Sequence, residues 1–271
     1  MSEASATTDP APADGRIVVE QRGHILLMGL DRIAKRNGVN EKMFVELAQA
    51  YDRLERDTKL RVGVLHAFGP HFSAGIQLDQ LQHKFRAGLH LTPSGLVDPF
   101  GLFPPLRTKP VVAAVQGISF TITIELMLAA DIVIAASDCR FGQIEVKRGI
   151  FANHGATIRM VERAGWGNAM RYLLTGDEFD AATAWRLGMV QEIVEPGQQF
   201  GRAIECAERI AAQAPLAVQA TLANARRAVL HGPESAMLEF GPVQQRLFDS
   251  EDAEEGVRSF LDKRPANFTG K

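Results

Sequence analysis

The sequence has few cysteines and almost no net charge. Its two cysteines, Cys139 and Cys206, stand among 271 residues, and they supply neither a metal-ligand spacing nor a disulfide framework. The 30 Lys and Arg residues nearly balance the 32 Asp and Glu residues, which leaves a formal net charge of −2. Without a global positive field, nothing draws the chain to nucleic acid or to an anionic membrane. We therefore expect a cytoplasmic protein with reduced thiols and no nucleic-acid partner.

Several common catalytic motifs are also missing. The sequence has no G-x-x-x-x-G-K-[ST] phosphate loop and no H-E-x-x-H zinc helix. The segment HFSAG at 71–75 has His71 where a nucleophile elbow around Ser73 requires glycine. The seven histidines show no metal-ligand spacing. Phosphate-loop, zinc and serine-nucleophile chemistries are therefore disfavoured, and no metal site is expected.

One segment is apolar enough to resemble a membrane span. Residues 111–130 read VVAAVQGISFTITIELMLAA and include Gln116 and Glu125, and an ionisable residue inside a bilayer is costly. A buried strand, a turn and a buried helix explain the segment better, so no membrane association is predicted. Residues 1–15 lack the basic and apolar regions of a signal peptide, and we expect them to form a flexible tail.

The spacing of apolar residues predicts alternating strands and helices over the first 200 residues. Strands are expected at 16–21, 23–30, 61–67, 111–116, 131–137 and 190–195, and helices at 41–56, 79–87, 125–130, 156–164, 168–176 and 181–188. Asn40 is a candidate N-cap for the first helix. This alternation is typical of an α/β protein with parallel strand pairing. From about residue 199 helix formers dominate, so we separate a core at 16–200 from a C-terminal helical region at 201–271.

Five collinear segments resemble the crotonase superfamily of enoyl-CoA hydratases and isomerases. GPHFSAGIQLDQL at 69–81 is similar to the F-[SCA]-A-G-x-D-L segment of that superfamily, and residues 116–150 are similar to its strand–turn–helix–strand signature ending in F-G-x-x-E. Residues 30–40, 173–194 and 260–270 resemble further segments of the family. The resemblance implies a crotonase-like ββα spiral core over 16–200 with a C-terminal helical region. It also implies assembly as a homotrimer or a dimer of trimers.

The resemblance assigns two oxyanion-binding backbone amides to Ile76 and Ile122. Proton transfer beside a thioester carbonyl, or addition of water across the neighbouring double bond, places negative charge on the carbonyl oxygen, and fixed N–H donors stabilise that charge. Ile122 is expected just before the helix that contains Glu125, where free N–H groups favour an anion. Spacing alone would favour a structural role for this β-branched TITI run; only the resemblance assigns the donor.

The resemblance also places the proton chemistry on Glu125 and Glu145. Glu125 lies within the apolar segment TIELMLAA, where burial should raise its pKa; a structural ion pair is the alternative interpretation. Glu145 lies in GQIEVKRG, where Lys147 and Arg148 would equally suit an ordinary surface residue. Only the fold can bring these two glutamates together, and the sequence does not decide which is the acid and which the base.

The resemblance implies that coenzyme A enters as the thioester of the substrate and that no other cofactor is needed. The predicted contacts to CoA and the acyl group are Lys35, Arg36, Ala74, Gln77, Leu78, Phe260 and Lys263. Because CoA carries phosphates and the chain is slightly acidic, local cations are required. The first two residues are expected near the pantetheine and phosphates, and the last two near the nucleotide of a bound or neighbouring site.

The sequence departs from the family pattern at three places. Thr121-Ile122-Thr123 stands where the family commonly has a glycine run, Gln77 replaces an aspartate, and Ala152-Asn153 replaces a Pro-Gly pair. Glycine lets the backbone approach a ligand closely, so Ile122 is expected to narrow or reshape the pocket. These changes leave both glutamates in place and bear on which acyl group is accepted.

The sequence thus predicts an enoyl-CoA hydratase, which adds water to a trans-2-enoyl-CoA. An enoyl-CoA isomerase, or another acyl-CoA lyase or hydrolase of the same fold, is the first alternative. A non-catalytic acyl-CoA-binding protein, in which the altered glycine run has removed turnover, is the second. Retention of both glutamates favours the hydratase.

Overall fold

A computed structural model describes residues 14–88 and 90–271 of the chain. The predicted tail at 1–15 therefore lies almost entirely outside the described residues. The strands are β1 Arg16–Arg22, β2 Ile25–Asp31, β3 Val62–Ala67, β4 Val111–Val115, β5 Ile118–Phe120, β6 Ile132–Ala136, β7 Arg140–Gly142, β8 Glu178–Asp180 and β9 Glu192–Val194. The α-helices are α1 Glu41–Arg56, α2 Leu78–Arg86, α3 Ile122–Ala129, α4 Ala156–Ala164, α5 Trp166–Thr175, α6 Ala181–Arg186, α7 Gln199–Ala211, α8 Pro215–His231, α9 Pro233–Met237, α10 Phe240–Phe248 and α11 Glu251–Leu261. The predicted α/β class is confirmed.

Two β-sheets organise the core. The larger sheet has the strand order β1-β2-β3-β4-β6-β9, in which β1 and β2 are antiparallel and the other neighbours are parallel. The smaller sheet has the order β5-β7-β8. The β4–β5 connection links the two sheets, and β5 leads directly into α3, which contains Ile122 and Glu125.

The inner strand β2 shows why this part of the sequence is a single apolar run. Leu26 and Met28 pack on one face of the sheet with Leu47 of α1, whereas Leu27 packs on the other face with Ala207 of α7. Both faces of a mostly parallel sheet are covered by helices, so its strands need apolar residues at every position. Helix α7 spans the predicted boundary at residue 200 and packs on the sheet.

The N-cap predicted for α1 is confirmed. The side-chain oxygen of Asn40 accepts a hydrogen bond of 3.0 Å from the backbone N–H of Met43, which satisfies one of the free donors in the first turn. The Asn40 side-chain amide in turn donates to the carbonyl of Asp14, 2.7 Å away. Asn40 therefore fixes both the start of the helix and the entry of the chain into β1.

The sequence-based prediction was wrong in detail between β4 and α3. Residues 118–120 form the strand β5 rather than a turn, and α3 begins at Ile122 rather than at Glu125. The reversal is compressed into Thr121, whose backbone has φ 55° and ψ −127°. Ile122 is consequently the first residue of the helix, and its N–H belongs to the free first turn.

Helices α8 to α11 bear out the helical pattern expected beyond residue 199. Within the described residues, no helix is long and apolar enough to cross a membrane. Many large apolar side chains of this region remain exposed, including Val229, Leu230, Leu238, Phe240, Phe248, Phe260 and Leu261.

Candidate active site

A cavity of about 540 Å³ opens between α2 and the segment that follows β7. Ile76, Ile122, Glu125 and Glu145 all line this cavity, together with Leu78. The fold thus brings both predicted oxyanion residues and both predicted acids to one place, although they come from three separate parts of the chain.

Backbone pairing frees the N–H group of Ile76. The N–H of Val39 donates to the carbonyl of Gly75 at 2.8 Å, and the N–H of Gln77 donates to the carbonyl of Val39 at 2.9 Å. These bonds form an isolated parallel bridge between Val39 and Ile76, in which the N–H of Ile76 points away from the bridge. Within residues 14–88 and 90–271, this N–H has no acceptor. A ligand oxygen in the cavity is the group that it can bind.

The N–H group of Ile122 is held beside the first one. Ser73 and Ser119 form a second parallel bridge, with Ser73 N–H donating to Ile118 at 3.0 Å and Phe120 N–H donating to Ser73 at 3.1 Å. This pairing places the segment ending at Ile76 against the strand leading to Ile122. The N–H of Ile122 lies at the start of α3, where unpaired donors and the helix dipole favour negative charge.

The backbone of Thr121 is strained in this arrangement. A positive φ of 55° is rare for a β-branched residue, and such strain costs about 1–3 kcal/mol. Its side-chain oxygen is buried without a hydrogen-bond partner among the described residues. Gly75 faces this threonine, since a Cβ at Gly75 would lie 2.2 Å from Thr121 Oγ1 and 3.1 Å from the Phe120 carbonyl oxygen. The close approach of the two loops depends on the missing side chain of Gly75.

Glu125 is almost completely buried, with 1% of its surface exposed. Its Oε1 atom accepts hydrogen bonds from the backbone N–H groups of His154, at 2.7 Å, and Ala156, at 3.0 Å. Burial raises the pKa of Glu125, while the two N–H donors and the positive charge of Arg159 oppose the rise. No cation of the described chain forms an ion pair with this carboxylate, so the structural ion pair is not found and the expected rise in pKa is confirmed.

Glu145 is also buried, at the start of the 3₁₀ turn Glu145–Arg148. Gln143 Nε2 donates to its Oε1 at 3.3 Å, and its Oε2 has no partner among the described residues. Burial, together with the negative charge of Glu125, raises the pKa of Glu145 to about 7. The alternative that Glu145 is an ordinary surface residue is therefore wrong.

The structure places the predicted CoA segment next to Ile76, the first of the two predicted oxyanion residues. The N–H of Ala74 donates to the carbonyl of Arg36 at 2.8 Å, and Lys35 and Arg36 are exposed. The side-chain oxygen of Gln77 accepts a 2.6 Å hydrogen bond from Arg32, so the residue that replaces the family's aspartate is held by a neighbouring cation. These contacts bring the segments together, and the CoA-binding role stays a prediction.

Phe260 and Lys263 are not brought to this cavity within one chain. Phe260 lies at the end of α11 with 82% of its surface exposed, and Lys263 follows with a positive φ of 53°. Neither residue lines the cavity. Their contact with the nucleotide of a bound or neighbouring site stays a prediction.

Sequence reasoning missed His154 and the packing role of Gly75. His154 lines the cavity, and its ring lies 4.7 Å from that of Phe100 and 6.3 Å from that of Phe85. Burial lowers its pKa to about 4, so the ring is neutral at pH 7. Its only sequence signal was its place beside Ala152-Asn153. Among the described residues, no three His, Cys, Asp or Glu side chains are placed to hold a metal ion.

Comparison with known proteins identifies a family that matches this chain. The model of the family described as enoyl-CoA hydratase/isomerase matches residues 20–271. The chain is 32% identical to enoyl-CoA hydratase EchA19 of Mycobacterium tuberculosis, covering 94% of this chain and 96% of that protein. It is 31% identical to the 2,3-dehydroadipyl-CoA hydratase of Escherichia coli, covering 94% and 99%. The crystal structure of a probable enoyl-CoA hydratase/isomerase from Mycobacterium abscessus superimposes with a TM-score of 0.91 at 47% identity, covering 94% of this chain and 98% of that chain.

Proposed function

The chain belongs to the enoyl-CoA hydratase/isomerase family, as its motifs predicted, and we propose that it adds water across the double bond of a trans-2-enoyl-CoA. One observation carries the proposal: two buried glutamates with raised pKa values line the same cavity as Ile76 and Ile122, whose backbone N–H groups have no acceptor among the described residues. Acid, base and oxyanion donors are the groups that this hydration requires.

The two amides would bind the thioester oxygen. Attack of water on the β-carbon converts the conjugated thioester into an enolate, whose negative charge gathers on that oxygen. The N–H groups of Ile76 and Ile122 are fixed by strand pairing and by the helix start, so they stabilise the charge without reorganisation. Each such donor contributes about 10²–10³-fold to the rate.

The environments of the two glutamates suggest their roles. Glu125 receives two backbone N–H bonds on one oxygen, which favour its ionised form, and we assign it as the base that takes a proton from water. One oxygen of Glu145 has no partner within residues 14–88 and 90–271, and the pKa of Glu145 is about 7. We assign Glu145 as the acid that protonates the α-carbon. The β-carbon receives the hydroxide and the α-carbon receives the proton of Glu145. The proton taken from water remains on Glu125 and must return to Glu145 before the next turnover.

The test is hydration of crotonyl-CoA by the purified protein, followed by loss of the conjugated thioester absorbance. Turnover with formation of 3-hydroxybutyryl-CoA supports the proposal. Binding without turnover, over a range of acyl chain lengths, would support the acyl-CoA-binding alternative. Migration of a double bond in a 3-enoyl-CoA without hydration would support the isomerase.

The pH dependence of kcat/KM should be bell-shaped, because the glutamate pair must hold a single proton. The alkaline limb is expected at an apparent pKa of about 7, where Glu145 loses the proton that it donates. The acid limb should lie above 4.5, because burial also raises the pKa of Glu125. Initial rates of hydration at low substrate concentration, measured from pH 4.5 to 9, give both limbs.

Dehydration of the 3-hydroxyacyl-CoA supplies the control for this profile. The reverse reaction needs the same single proton, placed on Glu125 instead of Glu145, and hydration has no net uptake of protons. The two directions should therefore share one pH profile of kcat/KM. An alkaline limb absent up to pH 9 would show that Glu145 is not the acid.

We further propose that the C-terminal helices join copies of the chain into a trimer or a dimer of trimers. Exposed apolar residues lie along these helices and in the turn between α9 and α10, with Leu238 79% and Phe260 82% exposed. Apolar patches of this kind mark interaction surfaces. Sedimentation equilibrium should give three or six times the mass of one chain. A monomer at micromolar concentration would contradict this assembly, and with it the predicted reach of Phe260 and Lys263 to a neighbouring site.

A further inference from the structure

Two arginines line the cavity and have no carboxylate partner in the part of the chain that the structure describes. Arg86 ends α2, and Arg148 ends the 3₁₀ turn that begins at Glu145. Arg148 donates one weak hydrogen bond, from Nη1 to the carbonyl of Lys147 at 3.4 Å. Neither guanidinium forms an ion pair with any described residue. By contrast Lys84, two residues before Arg86, is paired with Glu41 at 2.6 Å.

Helix α2 gives the cavity a direction. Leu78, Gln82, Phe85 and Arg86 line it, and their spacing of four, seven and eight residues places them along one face of the helix. Leu78 lies two residues beyond the oxyanion donor Ile76. Arg86 lies eight residues further on, which is about 12 Å along the helix axis. The cavity therefore leads from the reacting carbonyl toward Arg86.

The acyl group, and not the pantetheine, is the part of the substrate that extends into this space. The α- and β-carbons must lie between Glu125 and Glu145, and both glutamates line the cavity. Lys35 and Arg36, the cations predicted to serve CoA, adjoin Ala74 and do not line it. Of the two sets of cations, only Arg86 and Arg148 line the cavity that holds both glutamates.

The charge of the cavity lining favours an anion. The glutamate pair with its single proton carries one negative charge, while Arg86 and Arg148 carry two positive charges. His154 is neutral at pH 7 because burial lowers its pKa to about 4. Both arginines are exposed, so water solvates their charges when no substrate is bound. A carboxylate at the end of the acyl group would form charge-assisted, bidentate hydrogen bonds with a guanidinium group, which an uncharged acyl chain cannot form.

We propose that Arg86 and Arg148 bind a carboxylate carried by the acyl group, so that the preferred substrates are enoyl-CoA thioesters of dicarboxylic acids. This inference rests on the proposed hydration reaction and adds the substrate class to it. The apolar residues between the two ends, such as Phe85 and Ile150, would contact the methylene groups of the chain.

The test compares two substrates of equal length. 2,3-Dehydroadipyl-CoA and trans-2-hexenoyl-CoA share a six-carbon acyl chain and differ by a carboxylate in place of the terminal methyl group. We expect the native protein to have the higher kcat/KM for the dicarboxylic substrate. Arg86→Gln and Arg148→Gln should each lower the ratio of the two kcat/KM values about tenfold or more, mainly through KM. Arg148→Lys should retain part of the preference, because it keeps the charge.

Lys147→Gln is the matched control. Lys147 is the cation adjacent to Arg148, and its side chain packs over Gly176 instead of lining the cavity, so its loss should not change the ratio. An equal fall of kcat/KM for both substrates would assign the arginines to the CoA phosphates and overturn the proposal. An unchanged ratio in both arginine variants, or a native protein without preference, would also overturn it. A native protein that hydrates neither substrate would instead refute the proposed function.

Discussion

Glu125→Gln and Glu145→Gln will each lower kcat for enoyl-CoA hydration by about 10²–10⁴-fold, the usual contribution of general acid–base catalysis. Glutamine keeps the shape of the side chain and cannot exchange a proton, so KM should change little. The double variant should fall far short of the product of the two losses, because both groups act on one water addition. Steady-state kinetics on crotonyl-CoA measure all three. Glu125→Gln with native activity would sink the assignment, and loss from only one of the two substitutions would favour isomerase chemistry.

Stability measurements separate this loss from misfolding. The pKa of Glu145 rises from 4.5 to about 7 on folding, so the folded state binds more protons between these values, and stability falls as the pH rises through them. Glutamine is neutral at every pH, so the variant does not lose stability as the pH rises. The full shift corresponds to about 3 kcal/mol, and water entering the open cavity screens part of it. We therefore expect Glu145→Gln to raise the free energy of unfolding by about 1–2 kcal/mol at pH 8 and to leave it unchanged at pH 4.5. Glu162→Gln, on the exposed side of α4, should change neither kcat nor stability.

Regular elements with long apolar patterns were predictable from the sequence. Helix α1 has the predicted bounds of 41–56 and its predicted N-cap, because a 16-residue stripe and a capping side chain are both local features. The strands β7 and β8 were missed, since three residues are too few to show a period. The start of α3 was misplaced because Thr121 adopts a positive φ, which tertiary contacts impose on a residue that locally disfavours it.

The site was predictable in its residue types and not in its geometry. The apolar neighbours of Glu125 correctly indicated a raised pKa. For Glu145 the adjacent Lys147 and Arg148 indicated an exposed residue equally well. Only the fold shows that the carboxylate is buried, while Lys147 packs over Gly176 and Arg148 stays exposed at the edge of the same cavity. Whether an amide lacks an acceptor depends on partners far along the chain, such as Val39 opposite Ile76, so no local pattern reveals it.

Gly75→Ala will lower kcat by about 10²–10³-fold, the loss typical of a displaced oxyanion donor. Gly75 has φ 105°, and a Cβ there would lie 2.2 Å from Thr121 Oγ1 and 3.1 Å from the Phe120 carbonyl oxygen. To admit a methyl group, the segment carrying Ile76 must move away from the one carrying Ile122, and the two N–H groups then no longer meet at one oxygen. The affinity for the acyl-CoA product, measured by calorimetry, should fall much less than kcat.

Two further variants make the cause of that loss testable. Gly197→Ala, at φ 91° with no described atom within 4 Å, imposes a comparable backbone penalty far from the cavity, so it should lower the melting temperature and leave kcat unchanged. Adding Thr121→Gly to Gly75→Ala removes the Oγ1 atom in the way and relieves the positive φ of Thr121. We expect kcat of this double variant to be at least tenfold higher than that of Gly75→Ala. Of the two close contacts of the new Cβ, only the one with the Phe120 carbonyl oxygen, at 3.1 Å, remains. A double variant as inactive as Gly75→Ala, with a native melting temperature, would show that the two loops do not set the spacing of the oxyanion donors.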